Sequence, residues 1–337
     1  MVFLKFFLII ICCLICFQTT KAADWTPHKS GTLSWLHDVY FVNENKGFIA
    51  GSNGTFLSTT DGGKTWNVRE KFTADTIGQI YFSDENTGWL LCEKNIYERG
   101  AMGSSYLLKT RDGGANWERT DFGGGRERVT KIFFAKNGFA MAIGETGVLF
   151  ALQDDAKTWK RMIPPTRYLL LDGNFTDEFH GTIVGAGGSV LFTEDAGATW
   201  NRSMLSGDAR TRLNKVFFIN RRLGWTLGGE GKIYQTVNGG KSWREQKSGV
   251  SQNLTDIFFL NTAEGWAIGD EGTILHTTTA GNIWTKVNTK IKHRLEKVFF
   301  SGRKGWAVGF GGTILSFDET KTGGDLKLKP QMKTRRN

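Results

Sequence analysis

The chain predicts an all-β fold, a seven-bladed β-propeller of four-stranded blades, and three observations carry that expectation. A glycine, in most copies followed by an aromatic, opens an alternating apolar run at Gly47, Gly88, Gly138, Gly181, Gly224, Gly265 and Gly305, at spacings of 41, 50, 43, 43, 41 and 40 residues. A period near forty built from short strands is the mark of a fold assembled blade by blade. The second observation is a turn, TTDGGKTW at 59–66, that recurs after these runs and ends in tryptophan. The third is a mismatch: six turn tryptophans (Trp66, Trp117, Trp159, Trp200, Trp243 and Trp284) serve seven glycine starts. Trp25 stands as far before Leu36 as Trp284 stands before Leu295, so the N-terminal strand is expected to pair into the last blade. That arrangement closes the ring and leaves no free sheet edge between its ends.

Each blade reads in the same order. An apolar run comes first: Val39-Tyr40-Phe41, Ile80-Tyr81-Phe82, Ile132-Phe133-Phe134, Leu169-Leu170-Leu171, Val216-Phe217-Phe218, Ile257-Phe258-Phe259 and Val298-Phe299-Phe300. Continuous apolar runs suit strands covered on both faces, which places them innermost. The glycine start is the second strand, and an alternating segment such as Thr273-Ile274-Leu275-His276-Thr277 is the third. The fourth begins at the tryptophan.

The turn between third and fourth strands is the most specific motif. Close copies lie at 110–117, 193–200 and 236–243, and looser ones at 152–159 and 277–284. Asp61, Asp112, Asp195 and, in one copy, Asn238 can accept backbone N–H groups of their own turn, while glycine takes the positive-φ position. The tryptophan packs between sheets, and burying its roughly 150–250 Å² contributes about 4–6 kcal/mol gross. The motif is therefore read as structural. A row of solvated turn carboxylates is poor catalytic machinery.

Length, charge and cysteines narrow the class. Residues 1–22 read as a signal peptide: Lys5, an apolar run from Phe6 to Phe17, and a small-residue exit at Ala22. The run is too short for a comfortable bilayer span, which takes roughly 20 residues. An uncleaved anchor is the alternative, and Ile15 before Cys16 argues against a lipoprotein site. Residues 23–320 form the propeller and 321–337 a basic, flexible tail. Three of the four cysteines fall in the leader, leaving Cys92, so no internal disulfide is expected. A chain of about 300 residues compensates by burying about 75% of its unfolded surface. Of the formal charge of +10, the leader holds two and the tail five, which leaves too little on the blades for a nucleic-acid argument.

In a propeller the links from fourth to first strands and from second to third strands open on one face, with the Asp turns on the other. Arg128, Arg212 and Arg294 each stand one residue ahead of an inner strand, Arg167 stands two ahead of Leu169, and Arg126 and Arg210 flank the same links. A guanidinium fork suits bidentate capture of a carboxylate or phosphate. The second blade carries ten extra residues on that face, including Lys94, Tyr97, Glu98, Arg99 and Met102, beside the glycine-rich link 121–128. Lengthened loops on a rigid scaffold are where recognition sits. Arg126, Arg128, Arg167, Arg210, Arg212, Arg294, Arg99 and Tyr97 are thus the candidate partner-binding residues. The alternative is that the arginines stack on blade aromatics and pair with Asp270, Glu271 or Glu145.

GWAIGDEGTILHTT with TTDGGKTW resembles the BNR or Asp-box propellers. More narrowly, LTDIFF at 254–259 followed by GWAIG at 265–269 is similar to the photosystem II stability and assembly factor family, and the likeness covers almost all of 24–318. The resemblance implies a non-enzymatic seven-bladed propeller that holds a membrane-protein subunit during assembly through an arginine-rich patch. The residues themselves do not point to chlorophyll or a photosystem.

Enzyme readings find little support. The five histidines (His28, His37, His180, His276 and His293) lack metal-ligand spacing, no cofactor motif is present, and no G-x-S-x-G elbow exists. Gly185-Ala186-Gly187-Gly188 reads as a hairpin turn, not a phosphate cradle. The leading expectation is an exported assembly or interaction factor for a membrane-associated protein, monomeric and membrane-peripheral at most, in periplasm, thylakoid lumen or exterior. The alternative is an extracellular Asp-box glycan-binding protein or glycosidase, although a glycosidase needs paired carboxylates facing one pocket and the tyrosine-glutamate pair and arginine triad of Asp-box sialidases cannot be placed on these positions.

Overall fold

The computed structural model describes residues 25–94, 104–122, 128–134, 140–152, 158–163, 166–207 and 210–318. The leader, the basic tail and most of the second-blade insertion, with Tyr97 and Arg99, lie outside the described residues, as does Arg126. Among the described residues the strands form seven sheets. The sixth blade shows the pattern: Leu254–Phe259 innermost, then Gly265–Gly269, Ile274–Thr277 and, at the rim, Thr285–Lys286, all antiparallel. The last blade consists of Leu295–Ser301, Lys304–Gly309 and Ile314–Asp318, and its rim strand is Thr26–His28 from the other end of the chain. Thr26 faces Ser316 and His28 faces Ile314 in an antiparallel register. Trp25 is buried beside this joint, 5.6 Å from Trp266 and 5.5 Å from Phe317 between ring centres. The expected closure by the N-terminal strand is therefore present.

The recurring glycine start has a packing cause. A Cβ on Gly265 would lie 2.6 Å from the Phe259 ring, and the same holds at Gly88 on Phe82 and Gly224 on Phe218. In the six blades where that glycine is described, the last phenylalanine of the inner strand lies against it, so only hydrogen fits there. Between blades, Phe259 stacks on Trp225 with ring centres 3.4 Å apart, and Phe41 stacks on Trp306 at 3.9 Å. The core is consequently a ring of inter-sheet layers, each made of two adjacent blades.

Two features depart from expectation. In the fourth blade the inner strand is Leu170–Phe175, so the apolar run at 169–171 only begins it. The register is set by Asp172, which occupies the place of Asp38 and Asp256, and by Phe175 on Gly181, where an added Cβ would lie 2.7 Å from the ring. In the fifth blade Met204–Leu205 adds a short parallel strand outside Ser242–Gln246.

Candidate functional site

The two faces are sorted by backbone hydrogen bonds. On the Asp-turn face, the described turns dock on their own first hairpins: Gly62 N–H donates to Asn45, Gly113 to Asn86, Ala196 to Phe179, Gly239 to Arg222 and Ala280 to Ala263. Within the turn, the Thr59 hydroxyl donates to Asp61 (2.7 Å) and accepts from Gly63 N–H (3.0 Å), and Asp61 takes the Thr65 hydroxyl (2.6 Å). Asp195 repeats these bonds, Asp112 holds Asn116, and Asn238 holds Ser242. Bonds from the Thr65 hydroxyl and then its N–H keep the Asp61 carboxyl ionised down to about 2. Trp66, Trp243 and Trp284 are buried and Trp117, Trp159 and Trp200 pack as partly covered neighbours of the core. These carboxylates are committed to their own turns.

On the opposite face, the hairpin between second and third strands donates one N–H to the residue just ahead of its blade's inner strand. Ser52 donates to Trp35, Glu145 to Arg128, Ala186 to Leu169, Gly229 to Arg212, Asp270 to Asn253 and Phe310 to Arg294, all at 2.8–3.0 Å. The approach is close. A Cβ on Gly228 would lie 1.9 Å from the Arg212 carbonyl oxygen, which explains the glycine ending that strand. Trp35, Arg128, Leu169, Arg212, Asn253 and Arg294 thus hold equivalent seats at the mouth of the axial channel. The fourth-blade seat belongs to Leu169, and Arg167 lies farther out in its link, exposed like its neighbour Tyr168.

The seated arginines differ in their partners. Arg128 is bound by Glu93 at 2.5 Å and Glu145 at 3.1 Å. Arg294 is bound by Glu296 at 2.5 Å and Asp270 at 2.9 Å. Pairing, the alternative reading of the sequence, is what these two show. Arg212 has no carboxylate partner among the described residues, and its Nε donates to the Asn214 amide oxygen at 2.9 Å. Burial, and then the charge of Arg294, pull Arg212 below the ordinary arginine value. Arg167 has no ion pair among the described residues, and Arg210 is exposed at the end of its link.

Sequence reasoning missed the aromatic part of the mouth. Trp35 packs edge-on against Phe310 with ring centres 5.6 Å apart and lies 5.3 Å from His37, while His293 approaches Phe310 at 6.0 Å. Phe310 is half exposed. It stands where other blades place Ser52, Glu145, Ala186, Gly229 or Asp270, and that substitution was a legible signal. Burial, then the Arg294 charge, lower His37 to about 4, so it is neutral at pH 7 and shares a 2.8 Å hydrogen bond with Ser52.

Below the mouth the channel carries a girdle, also missed. Equivalent positions of successive inner strands, the third residue in six of them and the fourth in Thr76–Phe82, hold Asp38, Gln79, Lys131, Asp172, Lys215, Asp256 and Lys297. Lys215 bridges Asp172 (3.3 Å) and Asp256 (3.5 Å), and Lys297 bridges Asp256 (3.5 Å) and Asp38 (3.9 Å). The acceptors also staple blades together, taking N–H groups of the next inner strand at Ile80, Ile132, Val216 and Val298. An odd ring cannot alternate two signs without setting like charges side by side, and the neutral Gln79 takes the odd seat. Burial pulls Lys215 down, but Asp172, Asp256 and Asp38 more than offset it and hold it above the usual lysine value. Two residues further along each strand lies a second girdle: Tyr40, Tyr81, Phe133, Asn174, Phe217, Phe258 and Phe299. Among the described residues no group of three His, Cys, Asp or Glu side chains is placed to hold a metal ion. Cys92 is a buried free thiol, and burial pushes its pKa up to about 12, so it is no nucleophile.

Comparison with known proteins adds the following. The family model described as photosynthesis system II assembly factor YCF48 matches residues 17–97, 151–248 and 243–334. A photosystem II assembly lipoprotein Ycf48 of Synechococcus sp. (strain CC9902) is 36% identical over 25% of this chain, a match that spans about a quarter (26%) of that protein's length. The chloroplastic photosystem II stability/assembly factor HCF136 of Arabidopsis thaliana is 23% identical over 65% of this chain and 70% of its own. Among solved structures, one described as YCF48 bound to D1 peptide superposes with a TM-score of 0.72 at 21% identity, covering 87% of this chain and 94% of that one.

Proposed function

Because the chain belongs to the photosynthesis system II assembly factor YCF48 family, we propose that it is an exported, non-enzymatic assembly factor that captures an exposed segment of a membrane-protein subunit at the channel mouth. The observation that carries the reading is the unequal state of the mouth arginines. Arg128 and Arg294 are held by carboxylates of the chain itself, whereas Arg212 is exposed, lies near the like charge of Arg294 and hydrogen-bonds an amide, with no carboxylate in ion-pair contact among the described residues. A guanidinium in that state gains from an incoming carboxylate, and hydrogen bonds to charged groups are worth roughly 1.5–3 kcal/mol. Arg167 supplies a second guanidinium without an ion pair among the described residues. Phe310 and Trp35 supply an apolar contact beside Arg294, which fits a segment carrying an acidic residue or terminal carboxylate next to an apolar one.

The solved neighbour bound to a D1 peptide supports a peptide as the class of ligand. Crosslinking pull-down from native membranes, followed by anisotropy titration of the recovered segment as a labelled peptide, tests the proposal. Arg212→Glu with Arg167→Glu is expected to weaken capture at least about tenfold, one lost charge-assisted contact, with the fold intact. Undiminished capture by that variant removes the mouth from the function.

A further inference from the structure

The girdle of charges inside the channel is complete on one side and open on the other. Lys215 and Lys297 each sit between two carboxylates. Lys131 has one, Asp172 at 3.8 Å, and that carboxylate is shared with Lys215 at the shorter distance of 3.3 Å. A separation of 3.8 Å is an ion pair without a hydrogen bond. On its other flank stands Gln79, whose amide is spent: Nε2 donates to the Ile132 carbonyl (2.7 Å) and Oε1 accepts the Ile132 N–H (2.9 Å). Among the described residues the Lys131 ammonium therefore keeps three N–H donors without an acceptor. Its side chain is one-fifth exposed, toward the channel.

A second irregularity falls in the adjoining blade. Asn174 interrupts the aromatic girdle, one residue pair along the strand from Asp172, about 7 Å at the rise of an extended strand. It replaces a ring with an amide, and among the described residues that amide makes no side-chain hydrogen bond. Phe133 packs across the blade boundary onto Gly173 and Phe175, and Phe217 leans the other way, onto Phe258 and Phe259. An ammonium without a hydrogen-bond acceptor and an uncommitted amide thus lie on neighbouring inner strands, those of the third and fourth blades.

We propose that this stretch, built on Lys131 and Asn174, is a binding site for a small monovalent anion, a halide or the carboxylate of a small acid. The anion supplies Lys131 with the acceptor that neither Gln79 nor the shared Asp172 provides. The nearest opposing charge, Asp172, is neutralised by Lys215, so it does not repel a guest as a lone carboxylate would. Burial, then repulsion by Lys215, lowers Lys131 to about 8 despite Asp172, so the ammonium is present at neutral pH at a cost that a bound anion relieves. The site is independent of the mouth, and failure of either leaves the other standing.

Bromide and formate are the probes, with gluconate, a much larger anion, at equal ionic strength as the control. Anomalous scattering from crystals of the full chain grown in bromide should place a peak against Lys131 Nζ. Melting temperature should rise with bromide or formate above the gluconate baseline, the linkage expected for a ligand of the native state. A rise with bromide alone identifies a halide site, and a rise with formate identifies a carboxylate site. Both responses should vanish in Lys131→Met. Asn174→Phe, which restores the aromatic girdle and tests the same wall without touching the charges, should weaken binding roughly tenfold. No peak, a peak that survives Lys131→Met, or a peak without any response in solution (an adventitious ion only) would overturn the assignment.

Discussion

The two faces of the ring are built on opposite economies. At the Asp-turn face the side chains repeat along with the backbone: Thr59, Thr110, Thr193 and Thr236 each accept the same turn N–H, at 2.9–3.0 Å. At the mouth only the backbone repeats. The six residues anchored by equivalent N–H donors are Trp35, Arg128, Leu169, Arg212, Asn253 and Arg294, three arginines beside an indole, an aliphatic chain and an amide. Where folding needs a particular side chain the sequence repeats, and where the backbone alone suffices the side chains are free to serve recognition.

The severest way to break this comparison is at the tryptophan that closes the ring. Trp25→Ala should cost about 3–5 kcal/mol, the usual loss for a large buried aromatic, and deleting 24–29 should lower the melting temperature further. Urea unfolding checks both, and an unchanged midpoint would refute closure by this strand.

Next in size is the girdle between the faces. The unfolded chain holds the Lys131 proton up to about pH 10.4, whereas the folded chain releases it near 8. Between those values the unfolded state binds more protons, so stability rises with pH, by roughly 3 kcal/mol at most. The charged groups facing Lys131 are Asp172, Lys215, Asp38 and Lys297. Lys215, held above its ordinary value, acts in the reverse sense, and its contribution is lost only above about pH 10.4. Urea melts of wild type and Lys131→Met should therefore converge as pH climbs from 7.5 to 10. Parallel curves would show that Lys131 is not buried as a cation.

A smaller effect is expected within the repeated turn. Thr59→Val keeps the shape but strands the Gly63 N–H, which should cost roughly 1–2 kcal/mol and leave partner capture untouched. The mouth inverts that result: Arg212→Glu should move stability by less than about 0.5 kcal/mol while capture collapses. If the turn variant lost capture, or the mouth variant lost stability instead, the division between faces would fail.

Several features were legible in the sequence because they are local. The glycine starts, the Asp turns and the tryptophans each announce a steric or hydrogen-bonding requirement met within a few residues. The apolar run at 169–171 marks only the start of the fourth blade's inner strand, because the strand continues through Asp172, a charge that reads as surface until the channel gives it Lys215. The girdle went unseen for the same reason. Its members lie roughly forty residues apart, and only the closed ring sets them side by side.

By itself, the sequence determined the blade count, the strand order and the sealing of the ring by its own beginning, since these follow from periodicity and from which tryptophan was missing. Tertiary structure decided which charges meet. Arg128 and Arg294 are quenched and Arg212 is not, Lys215 is satisfied and Lys131 is not, because electrostatic partnership depends on distance through space, and distance along the chain does not encode it.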